Sequence, residues 1–155
     1  MANEARILES YGQNSDGASS RYACNDAVGL PYGTLLQGGH SASGPMASFA
    51  NAWTLGSSLT SGAFVGILNR EKVASDGITE LGVTKNCMAL LKASGAITAF
   101  SVVLCAGNNE VKQYTPTAFS GATASEALYL VASMMVGIAQ HTAADGASIK
   151  VRINK

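Results

Sequence analysis

Apolar residues gather into short runs over the second half of the chain, and most of these runs stop at turn-forming residues. The runs are AFVGILN, ITELGVTK, CMALLK, AFSVVLCA, MMVGIAQ and ASIKVRI, all within residues 63–153. Each is rich in apolar side chains and too short for an ordinary helix, so each predicts a strand. Strands joined in this way predict a mainly β fold, either a small antiparallel β-barrel or a sandwich.

The turn between the first two runs contains the dipeptide Asp76-Gly77. An Asp-Gly pair between apolar runs predicts a tight hairpin, because both central positions of a type I′ turn need a positive φ. Glu71 and Glu80 flank this turn, and we expect them to form ion pairs across the strands with Lys72 or Lys85. These carboxylates are therefore interpreted as parts of the fold rather than as acid–base groups.

The segment before the last two strands predicts one short helix. It lies between Pro116 and Ser133, with Ser125 as the N-cap and Glu126 in the first turn. A Ser at this position accepts a hydrogen bond from a free N–H group of the first turn, and a nearby Glu suits the positive end of the helix dipole.

The first part of the chain shows no regular spacing of apolar residues. Residues 1–33 contain residue types that are typical of turns and linkers. We interpret them as an extended N-terminal arm that becomes ordered against a partner. Residues 34–155 then form a single β-barrel domain. Within it, residues 38–62 are rich in Gly, Ser and Ala and predict a long loop, a kind of segment that is often functional.

Composition adds an expectation about stability. The length of 155 residues fits one domain, and 59 of these residues are Ala, Gly or Ser, whereas only ten are aromatic. Aromatic rings bury the most area per residue, so this chain has few large side chains for a core. We therefore expect the subunit to gain part of its stability from neighbouring subunits.

The charges exclude several classes of protein. Ten Lys and Arg balance ten Asp and Glu, so the chain lacks the basic excess typical of a nucleic-acid binder. A basic group at Lys150, Arg152 and Lys155 alternates with apolar residues and is interpreted as the solvated face of a strand.

The longest membrane-like run, residues 127–139, is too short for a spanning helix, and residues 1–10 do not resemble a secretory signal. We expect no contact with nucleic acid or membrane.

Three cysteines, Cys24, Cys87 and Cys105, form no CxxC pair, and the chain has only two histidines. We therefore expect neither a metal site nor a disulfide framework. Cys87 and Cys105 lie in apolar runs, where a free Cys behaves as a small buried side chain. This usage predicts synthesis in a reducing cytoplasm.

One short motif is similar to a catalytic element. Residues 39–44, GHSASG, nearly match the G-x-S-x-G nucleophile elbow, but Ser43 replaces the second Gly and the chain shows no βαβ pattern. A small serine hydrolase that uses Ser41 and His40 is kept as a minor alternative. The chain has no phosphate loop, dinucleotide fingerprint or metalloprotease motif, so we predict no enzymatic activity, no cofactor and no small-molecule substrate.

Three stretches carry a resemblance to a known family. They are YGTLLQ at 32–37, the segment from GAFVGILN to EVKQYT at 62–115, and VGIAQHTAADGASIKVRI at 136–153. In this order they resemble the small β-barrel capsid decoration, or head cement, proteins of tailed bacteriophages. In that family a G-T-L strand begins the barrel, an f-x-G-I strand leads into a charged hairpin, and a V-G-I-A strand precedes a final I-x-V strand.

The resemblance implies a function, a partner and a location. Such proteins bind the major capsid protein on the outer surface of the shell, commonly as homotrimers, and hold neighbouring subunits against the pressure of packaged DNA. The protein would be made in the host cytoplasm and end in the virion. We expect the arm and the 38–62 loop to make the capsid and subunit contacts through large apolar side chains. These candidates are Ile7, Leu8, Tyr11, Tyr22, Leu30, Tyr32, Phe49, Trp53 and Leu55.

The composition fits one other class equally well. This is another virion or surface-assembly subunit, such as a tail component or a fibre base. The two classes differ in what they bind, because only a decoration protein would coat the outside of empty phage heads in a fixed ratio.

Overall fold

A computed structural model of the chain describes residues 5–10, 19–24, 26–27, 29–41, 44–49, 63–107, 109–115 and 132–154. These residues form a mainly β structure, as the sequence predicted, with one helical turn at residues 132–134. The strands are β1 Arg6–Ser10, β2 Ser19–Ala23, β3 Leu35–Ser41, β4 Gly44–Phe49, β5 Phe64–Leu68, β6 Glu80–Thr84, β7 Asn86–Ala93, β8 Val102–Gly107, β9 Glu110–Gln113, β10 Met135–Ala139 and β11 Ser148–Asn154.

The helical turn at 132–134 coincides with the end of the predicted helix, and the rest of that helix, including Ser125 and Glu126, lies outside the described residues. Over the part of the chain that the structure describes, no helix has the length and apolar character needed to cross a bilayer.

The first sheet contains six strands in the order β1–β7–β11–β10–β8–β9. Neighbours in this order are antiparallel. In addition, β7, the second strand of the order, makes a short parallel pairing with β9, the last strand. The last two strands, β10 and β11, pair around the turn at Asp145 and Gly146 as the sequence predicted. Along β11 the apolar residues Ile149, Val151 and Ile153 are buried and the polar residues between them are exposed, which confirms the alternation.

The second sheet is a closed barrel of five short strands in the order β2–β4–β3–β5–β6. β2 completes it, because it pairs antiparallel with β6 along its whole length and parallel with β4 at Ala23 and Met46. Closure of a sheet protects its strand edges, although here the β2–β4 contact that closes it consists of one residue pair.

One apolar core connects the two sheets. Leu35, Phe64 and Ile67 of the closed barrel belong to the same buried cluster as the inward-facing residues of the first sheet. A smaller cluster fills the closed barrel itself. Its members are Cys24, Leu30, Leu36, Leu68, Leu81 and Val83. Among the described core residues only Phe64 is aromatic, so the core consists mainly of Val, Ile, Leu and Ala side chains.

The structure differs from the sequence-based expectation in the N-terminal segment. The described parts of residues 1–33 include β1, which pairs with β7, and β2, which pairs with β6. This segment therefore contributes one strand to each sheet instead of lying apart as an arm. Strand pairing satisfies backbone N–H and C=O groups whatever the side chains are, so a segment with few apolar residues can still be built into a sheet.

The expected loop at residues 38–62 also differs. Residues 38–41 complete β3 and residues 44–49 form β4, and the two strands make an antiparallel hairpin from Leu36 opposite Phe49 to Ser41 opposite Gly44. Residues 50–62 lie outside the described residues. Gly, Ser and Ala have low strand propensity. The sequence of this segment therefore does not predict strands, and the strands form because neighbouring strands pair with them.

The predicted hairpin around Asp76-Gly77 is correct in its pairing and wrong in its turn. β5 and β6 pair antiparallel, with Leu68 opposite Val83, but residues 69–79 separate them. The positive φ angles lie at Ser75 (57°) and Gly77 (80°) rather than at Asp76 and Gly77. The carboxylate of Asp76 instead binds a buried cation.

Candidate functional site

The 69–79 loop is anchored by a buried lysine. Lys72 is only 2% exposed, and its backbone pairs with Leu30 through hydrogen bonds of 2.9 and 2.8 Å. This bridge brings the loop against residues 26–30, at the open side of the small core that Leu30 completes. A buried ammonium is costly unless it is fully paired, so its partners decide whether the loop can hold this shape.

The Lys72 ammonium donates to four oxygen atoms. Two are carboxylate oxygens, Asp76 Oδ1 and Asp26 Oδ1, the latter at 3.2 Å. The other two are the backbone carbonyls of Asp26 at 3.0 Å and Val73 at 2.6 Å. An ammonium has three N–H donors, so all its hydrogen-bonding capacity is used within the protein.

The two carboxylates are themselves fixed by the backbone of the loop. Asp76 accepts hydrogen bonds from the N–H groups of Ile78 at 2.9 Å and Val73 at 3.3 Å. Asp26 Oδ1 accepts from the N–H group of Gly77 at 2.8 Å. We call Lys72, Asp26 and Asp76 the lysine clamp, since together they tie the 69–79 loop to residues 26–30.

The ion pairs that the sequence suggested for this region are wrong. Lys72 pairs with Asp76 and Asp26 rather than with Glu71 or Glu80, and Glu80 pairs instead with Arg21 of β2 at 3.3 Å. The ammonium of Lys85 lies 5.0 Å above the ring of Tyr22, a cation–π contact. The predicted ion pairs do not form because the loop between β5 and β6 is long, so Glu71 and Glu80 do not occupy opposite positions of a tight hairpin.

Two members of the clamp, Lys72 and Asp76, stay ionised at neutral pH. Burial lowers the pKa of the Lys72 ammonium, but the hydrogen bonds with Asp76 and Asp26 outweigh it, so this pKa lies above its ordinary value. The hydrogen bond from Lys72 lowers the pKa of Asp76, against the opposing effect of desolvation. A lysine held in its charged form has no lone pair with which to act as a base or nucleophile, so its role is structural.

These pKa shifts predict how stability responds to acid. The pKa of Asp76 lies below its ordinary value of 3.8 in the folded protein, so the stability it provides is complete above that value and is lost as pH falls through the folded pKa. Asp76→Asn removes this contribution, and we expect a melting temperature about 4 °C below that of the wild type near pH 6. The difference should shrink as pH falls through the folded pKa of Asp76, because the carboxylate of the wild type is then protonated too.

The control is Glu71→Gln, which neutralises an exposed carboxylate of the same loop. Melting curves of the three proteins, recorded by circular dichroism across this pH range, make the comparison. A gap between wild type and Asp76→Asn that stays constant as pH falls would contradict an ionised pair of Lys72 and Asp76.

The cysteines occupy the core, as the sequence predicted for Cys87 and Cys105, and none of the three is in a disulfide bond. Burial raises the pKa of Cys87 to about 11, and burial likewise raises the pKa of Cys24. Thiols with raised pKa values are poor nucleophiles at neutral pH. Among the described residues, no group of three or more His, Cys, Asp and Glu side chains could hold a metal ion.

A small cleft of about 210 Å³ lies beside the lysine clamp. Binding pockets for drug-sized molecules span roughly 300–1,000 Å³ and are mainly apolar, so this cleft is small and polar by comparison. Its lining residues are Asn69, Arg70, Glu71, Lys72, Ile78, Glu80, Leu81 and Gly82.

The serine motif lies in a context that does not suit an elbow. His40 is opposite Pro45 and Ser41 is opposite Gly44 at the end of the β3–β4 hairpin. A nucleophile elbow needs a sharp turn from a strand into a helix, whereas Ser41 ends one antiparallel strand just before the next begins.

The proposed contact residues whose burial the structure describes differ in their exposure. Leu8 and Tyr32 are exposed, whereas Ile7 and Tyr22 are partly buried against the two cores. Leu30 is 1% exposed and belongs to the core of the closed barrel, so it does not reach the surface as a contact residue. The sequence could not show this, because burial of Leu30 depends on its bridge with Lys72.

The remaining contact candidates are less informative. Phe49 ends β4, opposite Leu36 in the hairpin register. Tyr11, Trp53 and Leu55 lie outside the described residues. The expectation that these four side chains make contacts stays a prediction.

Sequence reasoning missed the most exposed apolar side chain that the structure describes. Phe100 is 76% exposed, and its backbone has a φ of 62°. The sequence placed it in a strand, but β8 begins only at Val102, after a turn in which the Phe100 N–H donates to the carbonyl of Ala139 at 2.8 Å. Ile138, also missed, is 41% exposed on the neighbouring strand β10.

The described residues thus define a small, mainly β protein with two connected sheets, one internal ion cluster and several exposed apolar side chains. Comparison with models of protein families finds no family that matches the chain. Comparison with curated proteins finds no matching relative.

Proposed function

We propose that the protein is a structural subunit of a phage virion that binds the outer surface of the capsid. In this role it holds neighbouring copies of the major capsid protein together against the pressure of packaged DNA. It is made in the host cytoplasm and acts as a homotrimer on the shell. Its activity is binding, with no catalysis and no cofactor.

The observation that carries the proposal is the position of Phe100. A bulky residue with positive φ is strained, and a large ring left in water gives up the free energy of burial. Both costs are explained if the ring packs against another protein in the assembled state. A subunit of a large shell meets this condition, because its working state is the bound state.

The strand order supports the same proposal. The three stretches that resemble head cement proteins lead into β3, contain β5–β9, and contain most of β10 and β11. They therefore account for most of the two sheets and for the core that connects them. A rigid unit of this size suits a clamp between larger subunits.

The route of contact differs from the one expected from sequence. β1 and β2 are integral strands, so an arm is not free to reach a neighbouring subunit with them. Removing residues 1–30 would take one strand from each sheet and would test folding rather than binding. Contact with the capsid is better assigned to an outer face of the sheets.

The proposal is tested by adding the purified protein to phage heads that lack it, assembled from the major capsid protein encoded with it. We expect saturable binding in a fixed ratio to the major capsid protein, measured by co-sedimentation and gel densitometry. Decorated heads should also keep their DNA at a higher temperature than bare heads. The control is unassembled major capsid protein, to which binding should be weaker because the contact spans neighbouring subunits.

Absence of the protein from sedimented heads at micromolar concentration would overturn the proposal. Binding to isolated tails but not to heads would favour a tail component instead.

A further inference from the structure

Two cations far apart in the sequence lie on the outer face of the first sheet, on either side of β7. Arg6 of β1 lies opposite Leu90 of β7, and Lys150 of β11 lies opposite Leu90 from the other side. Opposite residues in neighbouring strands have Cβ atoms about 5 Å apart and share a face, so the two cations flank one leucine. Both side chains are exposed.

A second row of residues runs beside the first. Arg152 of β11 lies between Met88 of β7 and Ile138 of β10, and Glu9 of β1 lies beyond Met88. These side chains share a face because β11 and β7 alternate strictly, with buried residues between them. We call this surface the basic face. Its members are Arg6, Glu9, Met88, Leu90, Ile138, Lys150 and Arg152.

The basic face is positive in a protein that has no net charge. It carries three cations and one carboxylate, whereas the whole chain balances ten against ten. Lys92, further along β7, adds no net charge because it pairs with Glu110 at 2.9 Å. The excess is therefore local: Lys150 and Arg152 of β11 account for it, because Arg6 and Glu9 of β1 cancel, and the pairing of β1 with β7 places Arg6 on the same face.

Apolar side chains lie among these cations. Met88 and Leu90 are half-buried in the face, and Ile138 is 41% exposed beside Arg152. Val102 of β8 lies opposite Ile138 and packs partly against the core, and the exposed Phe100 lies in the turn two residues before it. Interface centres are enriched in aromatic residues, Met and Arg, so this combination is more typical of a contact surface than of a solvated one.

We propose that the basic face is the surface that docks on the capsid, and that it recognises an acidic patch with an apolar centre on the outside of the shell. This inference rests on the proposed function and names the contact that carries it. Carboxylates of the shell would face Arg6 and Lys150, while apolar side chains would cover Ile138 and the ring of Phe100. Charge complementarity of this kind sets orientation and speeds association.

Charge reversal tests the assignment. Arg6→Glu and Lys150→Glu, made separately, should each weaken binding to bare heads by about 10–100-fold, because each places like charge against the acidic patch. The matched control is Arg70→Glu, which changes the net charge equally on the exposed 69–79 loop of the other sheet, and binding should change by less than about threefold. Wild-type affinity should fall as salt rises, and the two reversed variants should lose most of that dependence.

The variants must be folded, which unchanged melting curves establish. If a reversed variant melts early, Arg6→Gln and Lys150→Gln replace it, with an expected loss of about 3–10-fold. Binding by wild type and reversed variants alike would overturn the docking assignment and leave the proposed function standing. Failure of the wild type to bind heads would overturn both.

Two other occupants are distinguished by the same variants. If reversal abolishes binding to duplex DNA but leaves binding to heads intact, the face is a nucleic-acid surface and the inference is wrong. If reversal changes only the mass of the protein in sedimentation, the face is a contact between copies of this chain and the inference is again wrong.

Discussion

We expect Gly33→Ala to lower the free energy of unfolding by about 3–5 kcal/mol, a large effect for one methyl group. Gly33 has a φ of 76°, and a Cβ at this position would overlap the carbonyl oxygen of Ala5. The backbone cannot move aside freely, because the Gly33 carbonyl accepts from Ala5 N–H at 3.0 Å and the Gly33 N–H donates to Leu68 at 3.0 Å. The added methyl group must therefore break one of these bonds or displace β1.

The chain offers a matched control for this variant. Gly146 has nearly the same φ, 73°, but a Cβ there would meet no atom within 4 Å. Gly146→Ala should cost only about 1–2 kcal/mol, the penalty of the left-handed conformation alone. Urea denaturation of both variants separates backbone strain from overlap. Equal losses in the two would show that the contact with Ala5 does not limit stability.

Gly33 also bears on the docking surface. Ala5 immediately precedes Arg6, so the Ala5–Gly33 hydrogen bond fixes where β1 begins on the edge of β7. A displaced β1 would carry Arg6 away from Lys150. Gly33→Ala should therefore weaken binding to heads, unlike Gly146→Ala, although neither residue belongs to the basic face.

The sequence predicts the second half of the fold well because the information there is local. Ile149, Val151 and Ile153 alternate with polar residues, and Asp145 and Gly146 mark the turn before them. Each strand from β5 to β11 that the sequence predicted buries some of its own apolar residues, so a short window contains the signal. The strong alternation of β11 is an example of this agreement.

The sequence predicts the first half of the fold poorly, because the information there is not local. β1 and β2 are strands because β7 and β6 pair with them, and those partners lie far along the chain. β3 and β4 continue through Gly38, Gly39 and Ala47, whose side chains give no period. Their strand character comes from backbone hydrogen bonds in a ladder, which a window of sequence does not contain.

The lysine clamp and the basic face were hidden in the same way. Lys72 lies in a charged turn and has the sequence context of a surface lysine, and its burial requires Asp26 from a distant segment. Lys150 and Arg152 are correctly predicted as the polar side of a strand, but the sequence does not place Arg6 beside them. The function of a charged residue here depends on which strand lies next to its own.

Asn109→Ala should lower the free energy of unfolding by about 2–4 kcal/mol. Asn109 is buried in the turn between β8 and β9, and its Oδ1 accepts from the N–H group of Leu35, the first residue of β3, at 2.8 Å. The bond therefore joins the first sheet to the closed barrel. Alanine leaves the buried N–H of Leu35 without a partner, and it tolerates the φ of 62° less well than asparagine.

Asn109→Gly separates these two costs, because glycine adopts the positive φ without strain but supplies no acceptor. It should lose about 1–3 kcal/mol, the part that belongs to the hydrogen bond. If the glycine variant is as stable as the wild type, the bond from Leu35 to Asn109 contributes nothing to stability. If the bond contributes to stability, its loss should also allow the two sheets to unfold separately. The urea transition of both variants should then be broader, with a smaller m value than that of the wild type.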